Sequence, residues 1–542
     1  MSPETEIQSS KSKLGVGASL VGSGRCDDLA RIQRANGIGP EGTIANLRSA
    51  PAPARVHRSA LILPTADLRL NPLCPGRETP ALTRRGFLKR TSMGFGMLAF
   101  AGLANQWAAA ESRRPLPHFA PRAKHVIFLF MDGGVSHVDT FDPKPELTKR
   151  NGEKAQWRAD VGSQALTPNR KWLKNLWDFK QRGQSGLWVS DLLPNIAQVA
   201  DELCVVRSVV GETPLHGAQN LLLHTGRSIG AAPSLGAWIS YGLGTENEEL
   251  PGYVLLNNDW VPNGGAQNFA SAFLPANYQA TMVRAKGKPV DNITPADPAE
   301  LQRAKLDFLR EQDGAVAAAR GGSDAIESAI RNYETAAHMQ TLVPKLCDVS
   351  GESPATLKLY GVDRPNDYDH YYALQCLRAR RLVEAGVRFI EITCPLTHSN
   401  NAPWDQHGEL KQRHEENARI TDQPVAALIS DLKARGLLED TLVLWAGEMG
   451  RTPHAANTDG RDHHVSGYTL WLAGGGIRGG MTYGATDEMG MSAVENPVDI
   501  HDIQATILHQ LGMDHEKLTF RFGGRDMRLT DVHGKVITPL LA

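Results

Sequence analysis

Short, uninterrupted apolar runs alternate with helical stretches along most of the chain. His125–Phe130 is the first run, ending at Met131-Asp132-Gly133-Gly134. Cys204–Val210 is the second, behind a helical segment from Pro194 to Leu203, and Tyr253–Leu256 is a shorter third. Arg388–Thr393 is the fourth, after a helix expected from about Tyr371 to Ala385 with Gly386 at its end. Thr441–Ala446 is the fifth, after a helix expected over Val425–Arg435 and Gly436. Tyr468–Ala473 is the sixth and ends in Gly474-Gly475-Gly476; a last helix is expected over Ile500–Leu511, before Gly512. Continuous apolar runs of this length predict strands buried on both faces. Their alternation with helices predicts an α/β domain: a mostly parallel sheet with helices on both faces. Residues 290–370 are polar, Ala-rich and helical in pattern, and are expected as a helical insertion. Residues 143–187, rich in Trp, Lys and Asn, read as another insertion, with loops.

The N-terminal part departs from this rhythm. Residues 1–80 contain no Phe, Trp or Tyr and are rich in Ser, Gly, Pro, Ala and Arg. Little large apolar surface offsets their ordering entropy, so they are expected as a disordered extension; the alternative is a start of translation further along. Residues 81–110 hold Arg84-Arg85-Gly86-Phe87-Leu88-Lys89, a moderately apolar run from Met93 to Ala104, and Ala108-Ala109-Ala110. A basic pair, a weak apolar region and a small-residue end make an export signal, and the paired arginines resemble the twin-arginine type. That predicts the twin-arginine export machinery as a partner, and a periplasmic or secreted protein. The sulfur chemistry adds little: the four cysteines beyond the signal show no C-x-x-C pair, and one bridge such as Cys347–Cys376 stays open.

Composition narrows the function. The chain has 542 residues, with 58 Lys+Arg against 59 Asp+Glu and a formal charge of −1. Near-neutrality speaks against a nucleic-acid partner. With no run of 18 or more apolar residues, no integral membrane segment is expected in the mature chain.

Ligands in open α/β sheets sit beyond the carboxyl ends of the strands. Asp132 follows the first run, with Ser136, His137, Asp139 and Asp142 behind it. Thr213, His216, His224 and Arg227 follow the second; His398, Asp405 and His407 the fourth; Glu448, Arg451, Asp462, His463 and His464 the fifth. Carboxylates and imidazoles gathered from separate strands suit a divalent cation such as Zn, Mn, Mg or Ca. Singly, each has a plainer reading as a loop cap, a loop histidine or a surface ion pair.

Several blocks resemble one family. They are Asp132-Gly133-Gly134 with Asp139-Thr140-Phe141-Asp142-Pro143-Lys144-Pro145, Leu442 to Pro453, Gly460-Arg461-Asp462-His463-His464, Tyr483 to Glu488, and His501 to Leu508. Over residues 120–542 the chain is similar to a bacterial family of unknown function often labelled sulfatase-like. The resemblance implies the alkaline phosphatase/sulfatase superfamily, with metal bound at the carboxyl edge of the sheet. It implies Asp132, Asp405, His407, Glu448 and His463 as metal ligands. Glu448-Met449-Gly450 stands where that superfamily has Asp-His-Gly, so a carboxylate is kept and a histidine lost.

The nucleophile departs further. Sulfatases place a modifiable Cys or Ser, then Pro and Arg, shortly before a Thr-Gly; here, counting back from Thr225-Gly226, the slot falls on His216. A formylglycine nucleophile is therefore not expected. His216 as nucleophile, ligand or base, Thr213 as nucleophile, or activated water remain open, with Arg451 expected to steady anionic oxygens. The resulting expectation is an exported metal-dependent hydrolase of phosphate or sulfate esters, acting on a small-molecule or glycan ester. The alternative is a non-catalytic module binding anionic glycans on the same fold.

Overall fold

The computed structural model describes residues 117–156, 169–320, 322–397, 402–456 and 459–542. The extension and export signal expected before residue 111, and His398, lie outside the described residues.

Nine strands form the main sheet: β1 His125–Phe130, β2 Leu203–Val210, β3 Tyr253–Asn257, β4 Thr281–Arg284, β5 Phe389–Thr393, β6 Thr441–Ala446, β7 Tyr468–Ala473, β8 Met481–Tyr483 and β9 Val498–Asp499. Their order is β8-β2-β7-β6-β1-β5-β3-β4, with β9 also paired to β2. The sheet is mostly parallel, as the apolar runs predict. The exception is β7, antiparallel to both β6 and β2.

The principal helices are α1 His216–Thr225, α2 Leu235–Leu243, α3 Ala299–Ala319, α4 Asp324–Cys347, α5 Pro354–Tyr360, α6 Asp367–Glu384, α7 Leu410–Ala434 and α8 Ile500–Gln510. Residues 290–370 thus carry α3, α4 and α5 and the start of α6. Residues 143–187 carry a short helix, Pro145–Lys149, and a hairpin strand, Phe179–Arg182, that pairs with Leu187–Ser190.

The sheet divides two apolar cores. Ile127 and Leu129 of β1 face one, with Tyr372 and Leu377 of α6 and Leu428 of α7. Val126, Phe128 and Phe130 face the other, with Leu222 of α1, Trp238 of α2 and Ile507 of α8. This period-two division explains why β1 reads as an unbroken apolar run: both of its faces are covered.

Helix α7 corrects the expected start at Val425, beginning fifteen positions earlier at Leu410. Pro424, just before that expected start, lies inside the helix. A proline there deprives the Ile420 carbonyl of its helical partner. Arg364 supplies substitutes, donating from Nη2 to Ile420 O at 3.3 Å and from Nη1 to Arg419 O at 2.8 Å. The segment expected as a helix over Pro194–Leu203 is a 3₁₀ stretch, Ile196–Glu202. Cys204, Cys347, Cys376 and Cys394 are all free thiols, so the bridge left open between Cys347 and Cys376 is not formed.

Candidate metal centre

Loops leaving the carboxyl ends of β1, β5 and β6 meet the start of α1. Their approach is set by backbone contact. Gly133 has φ +112°, and a Cβ there would stand 2.6 Å from the Asp405 backbone nitrogen. Trp404 N donates to Asp132 O at 3.0 Å across the same contact. Only glycine satisfies both the dihedral and the clearance. A fully buried ion pair, Arg461 Nε to Asp139 Oδ2 at 2.7 Å, ties the first loop to the chain beyond β6.

Three imidazoles turn their Nε2 atoms toward Asp405 Oδ1. His463 is 3.1 Å away, His407 3.2 Å and His216 3.4 Å. Each ring is oriented from behind through Nδ1–H. His216 donates to Glu448 Oε1 at 2.5 Å, His463 to Pro214 O at 2.7 Å, and His407 to Asp462 Oδ1 at 2.7 Å. That pattern turns the Nε2 atoms inward, the arrangement of metal-ligating histidines with an oxygen partner behind each ring. The ligand atoms of His216, Asp405 and His463 all lie within 4.8 Å of one another, and these side chains are buried. His216 Nε2 is a buried nitrogen without a hydrogen-bond partner. His407 closes the group on the solvent side, with 45% of its side chain exposed. The donor set fits a divalent cation, and its three nitrogens favour a borderline ion such as zinc over Mg or Ca.

The surroundings set the protonation. Burial pushes His463 down to about 4, against its contact with Asp405. Burial also opposes the charged form of His216, yet the nearby Asp405 and Glu448 carboxylates raise it to about 9. His407 is raised by its bonds to Asp405 and Asp462. Burial works against Asp405 ionisation, but the Arg451 charge and the three histidines hold it well below the usual carboxylate range.

Asp132 and Glu448, expected as ligands, stand beside this group with their oxygens already engaged. Asp132 accepts from Asn220 Nδ2 at 3.1 Å and from Trp260 Nε1 at 2.8 Å. Burial, and then the Glu448 charge, push Asp132 up to about 7 against those two bonds. Glu448 accepts from Gly133 N with both oxygens, at 3.1 and 3.0 Å, as well as from His216.

Arg451 and Thr213 complete the expected set. Arg451, expected to meet anionic oxygens, is fully buried and turned inward. It donates to Gly134 O at 2.9 Å, Arg461 O at 3.2 Å, Asp405 Oδ1 at 2.7 Å and Gly133 O. Its guanidinium holds the loop carbonyls and Asp405 together. The backbone N–H of Thr213, expected as a possible nucleophile, donates to Gln219 Oε1 at 3.2 Å.

Asn220 and Trp260 went unnoticed in the sequence. Asn220 had a signal: His216, Asn220 and His224 are spaced four apart and share one face of α1. Trp260 follows β3 in an irregular loop, where no local pattern marks it.

Comparison with known proteins places the chain in a family. Residues 123–541 match the family described as "Protein of unknown function (DUF1501)", and the chain belongs to it. No curated protein matches the chain. Among solved structures it is similar to the PsFucS1 sulfatase from Pseudoalteromonas sp., at 14% identity and TM-score 0.33, covering 82% of this chain and 75% of that one. It is also similar to the phosphonate monoester hydrolase SpPMH from Silicibacter pomeroyi, at 13% identity and TM-score 0.31, covering 64% and 71%. A TAB5 alkaline phosphatase mutant with bound Mg gives 9% identity and TM-score 0.28, covering 65% and 92%. No described helix is long and apolar enough to cross a membrane.

Proposed function

We propose that this chain is an exported, metal-dependent hydrolase of phosphate or sulfate esters. The observation that carries the reading is the convergence of the His216, His407 and His463 Nε2 atoms on Asp405 Oδ1. Those four residues would hold one divalent cation. Bound there, it would supply Lewis-acid polarisation of a phosphoryl or sulfuryl oxygen and activation of water near neutral pH.

The chain's own groups do the rest. Glu448, Pro214 and Asp462 orient the three rings. Arg451 fixes Asp405 against the Gly133-Gly134 turn. His216 is a ligand in this reading and not a nucleophile, because Nδ1 is committed to Glu448 and Nε2 to the shared centre. Asp132, poised near neutrality beside the site, is placed to accept or return a proton. The Arg84-Arg85 signal supports export by the twin-arginine route to the periplasm or beyond.

The test is turnover of aryl phosphate and aryl sulfate esters by the purified protein, before and after chelation and after zinc is restored. Zinc-dependent hydrolysis of either class is expected. Metal uptake with no turnover, but retention of a sulfated glycan, would replace the hydrolase by the binding module. Absence of metal uptake would end both.

A further inference from the structure

A second polar cluster lies beneath the candidate centre, fully inside the apolar core. Glu391 sits in the middle of β5, whose neighbour Phe389 belongs to the core shared with Phe128 and Phe130. Its side chain is 1% exposed. Glu391 Oε1 accepts from His224 Nε2 at 2.8 Å, and Oε2 accepts from the Tyr253 hydroxyl at 2.6 Å. His224 Nδ1 donates to Asn220 O at 2.7 Å. Both partners of the imidazole are oxygens, and against burial the Glu391 contact raises His224, favouring the ring with both nitrogens donating. Phe130 and Phe269 meet it edge-on, with centroids 4.6 and 5.7 Å away.

A buried ion pair of this kind is poor value for stability alone. Its desolvation cost rivals its attraction, and apolar residues of similar volume often do as well. The location gives it a different use. His216, Asn220 and His224 form one face of α1, and each meets a carboxylate on a different part of the sheet. His216 meets Glu448 after β6, Asn220 meets Asp132 after β1, and His224 meets Glu391 within β5. The His224 contact ties α1 to β5, a strand that the other two contacts do not reach. Fixing the third point sets both its phase and its height.

We propose that Glu391 and His224 are positioning residues of the candidate metal centre: their ion pair locks α1 so that His216 Nε2 reaches Asp405 and Asn220 reaches Asp132. Neither residue touches the centre itself. The far end of α1 supports the same geometry. Gln504 Nε2 donates to Leu222 O at 3.1 Å and to Leu223 O at 3.0 Å, so the last turn is anchored to α8. This inference rests on the metal-centre reading.

The experiment is a cobalt(II) titration of the wild type and of the double variant His224→Leu/Glu391→Leu, followed by visible absorption, alongside thermal melts. The double variant removes both charges together, and Tyr253→Phe is added in the same background because the buried hydroxyl loses its Glu391 acceptor; its melting temperature is then expected to stay within a few degrees of the wild type. Its cobalt affinity is expected to fall on the order of tenfold or more, as for other partners that orient a ligand. Unchanged affinity and spectrum in a folded double variant overturn the proposal. If the double variant does not fold, Glu391→Gln takes its place; an altered cobalt spectrum is then expected, and a wild-type spectrum overturns. Should the wild type bind no cobalt, the function proposed above falls, and amide exchange judges the lock by itself. Faster exchange over residues 216–225 in the variant supports it, and equal rates overturn it.

Discussion

His407 Nε2 lies 3.0 Å from His463 Nε2, and both face the same oxygen of Asp405. A divalent cation would engage both nitrogens and that carboxylate oxygen at once, displacing any protons the rings carry at Nε2. We predict that His463→Ala and His407→Ala each abolish stoichiometric zinc uptake, read by calorimetry on chelator-treated protein. Wild-type zinc affinity in both variants would remove the centre.

Asp462 stands one step back, holding His407 Nδ1. Asp462→Asn should weaken zinc by about 10–100-fold, the usual cost of losing an orienting partner, without eliminating uptake. A competition titration with a coloured chelator measures the difference from His407→Ala.

Arg451 predicts a stability effect. Removing one member of a buried charge pair leaves the other uncompensated, at about 3–5 kcal/mol. Arg451→Met should therefore lower the unfolding midpoint in urea steeply. Arg451→Lys should recover little, because an ammonium cannot span carbonyls and carboxylate together as the guanidinium does. A variant as stable as the wild type would show that the inward contacts are weak.

His137 and His414 predict a pH dependence. Burial pushes His137 down to about 4 and His414 down to about 3. Both titrate near 6.5 in the unfolded chain, so between the folded and unfolded values the unfolded state binds more protons. Their contribution is complete above about pH 6.5 and is lost as the pH falls through 6 toward 4. Melting temperatures taken from pH 7 to pH 4 should drop across that window, and His414→Gln should flatten the slope. A slope equal to wild type would assign the acid sensitivity elsewhere.

The sheet was legible because its strands are buried on both sides. The observed bounds of β1, β6 and β7 coincide with the apolar runs 125–130, 441–446 and 468–473. The antiparallel run of β7 was not legible, since strand direction leaves no mark in local hydrophobicity. The front of α7 was hidden because it buries polar groups: His414, Asn417, Thr421 and Asp422 all lie inside it. In the site, charged residues behind strand ends pointed to His216, Asp405 and His463. The inward role of Arg451 was hidden, because it depends on the carbonyls of Gly133 and Gly134 more than three hundred positions away in the chain.

The close approach at Gly133 has a consequence for altering this protein. The spacing between the chain at Asp132 and the chain at Asp405 is fixed by peptide pressed on peptide. Side chains can therefore be exchanged at either position while the scaffold keeps its gauge. New metal preferences are better sought by replacing donors than by remodelling loops, since any added carbon at that junction would force the walls of the pocket apart.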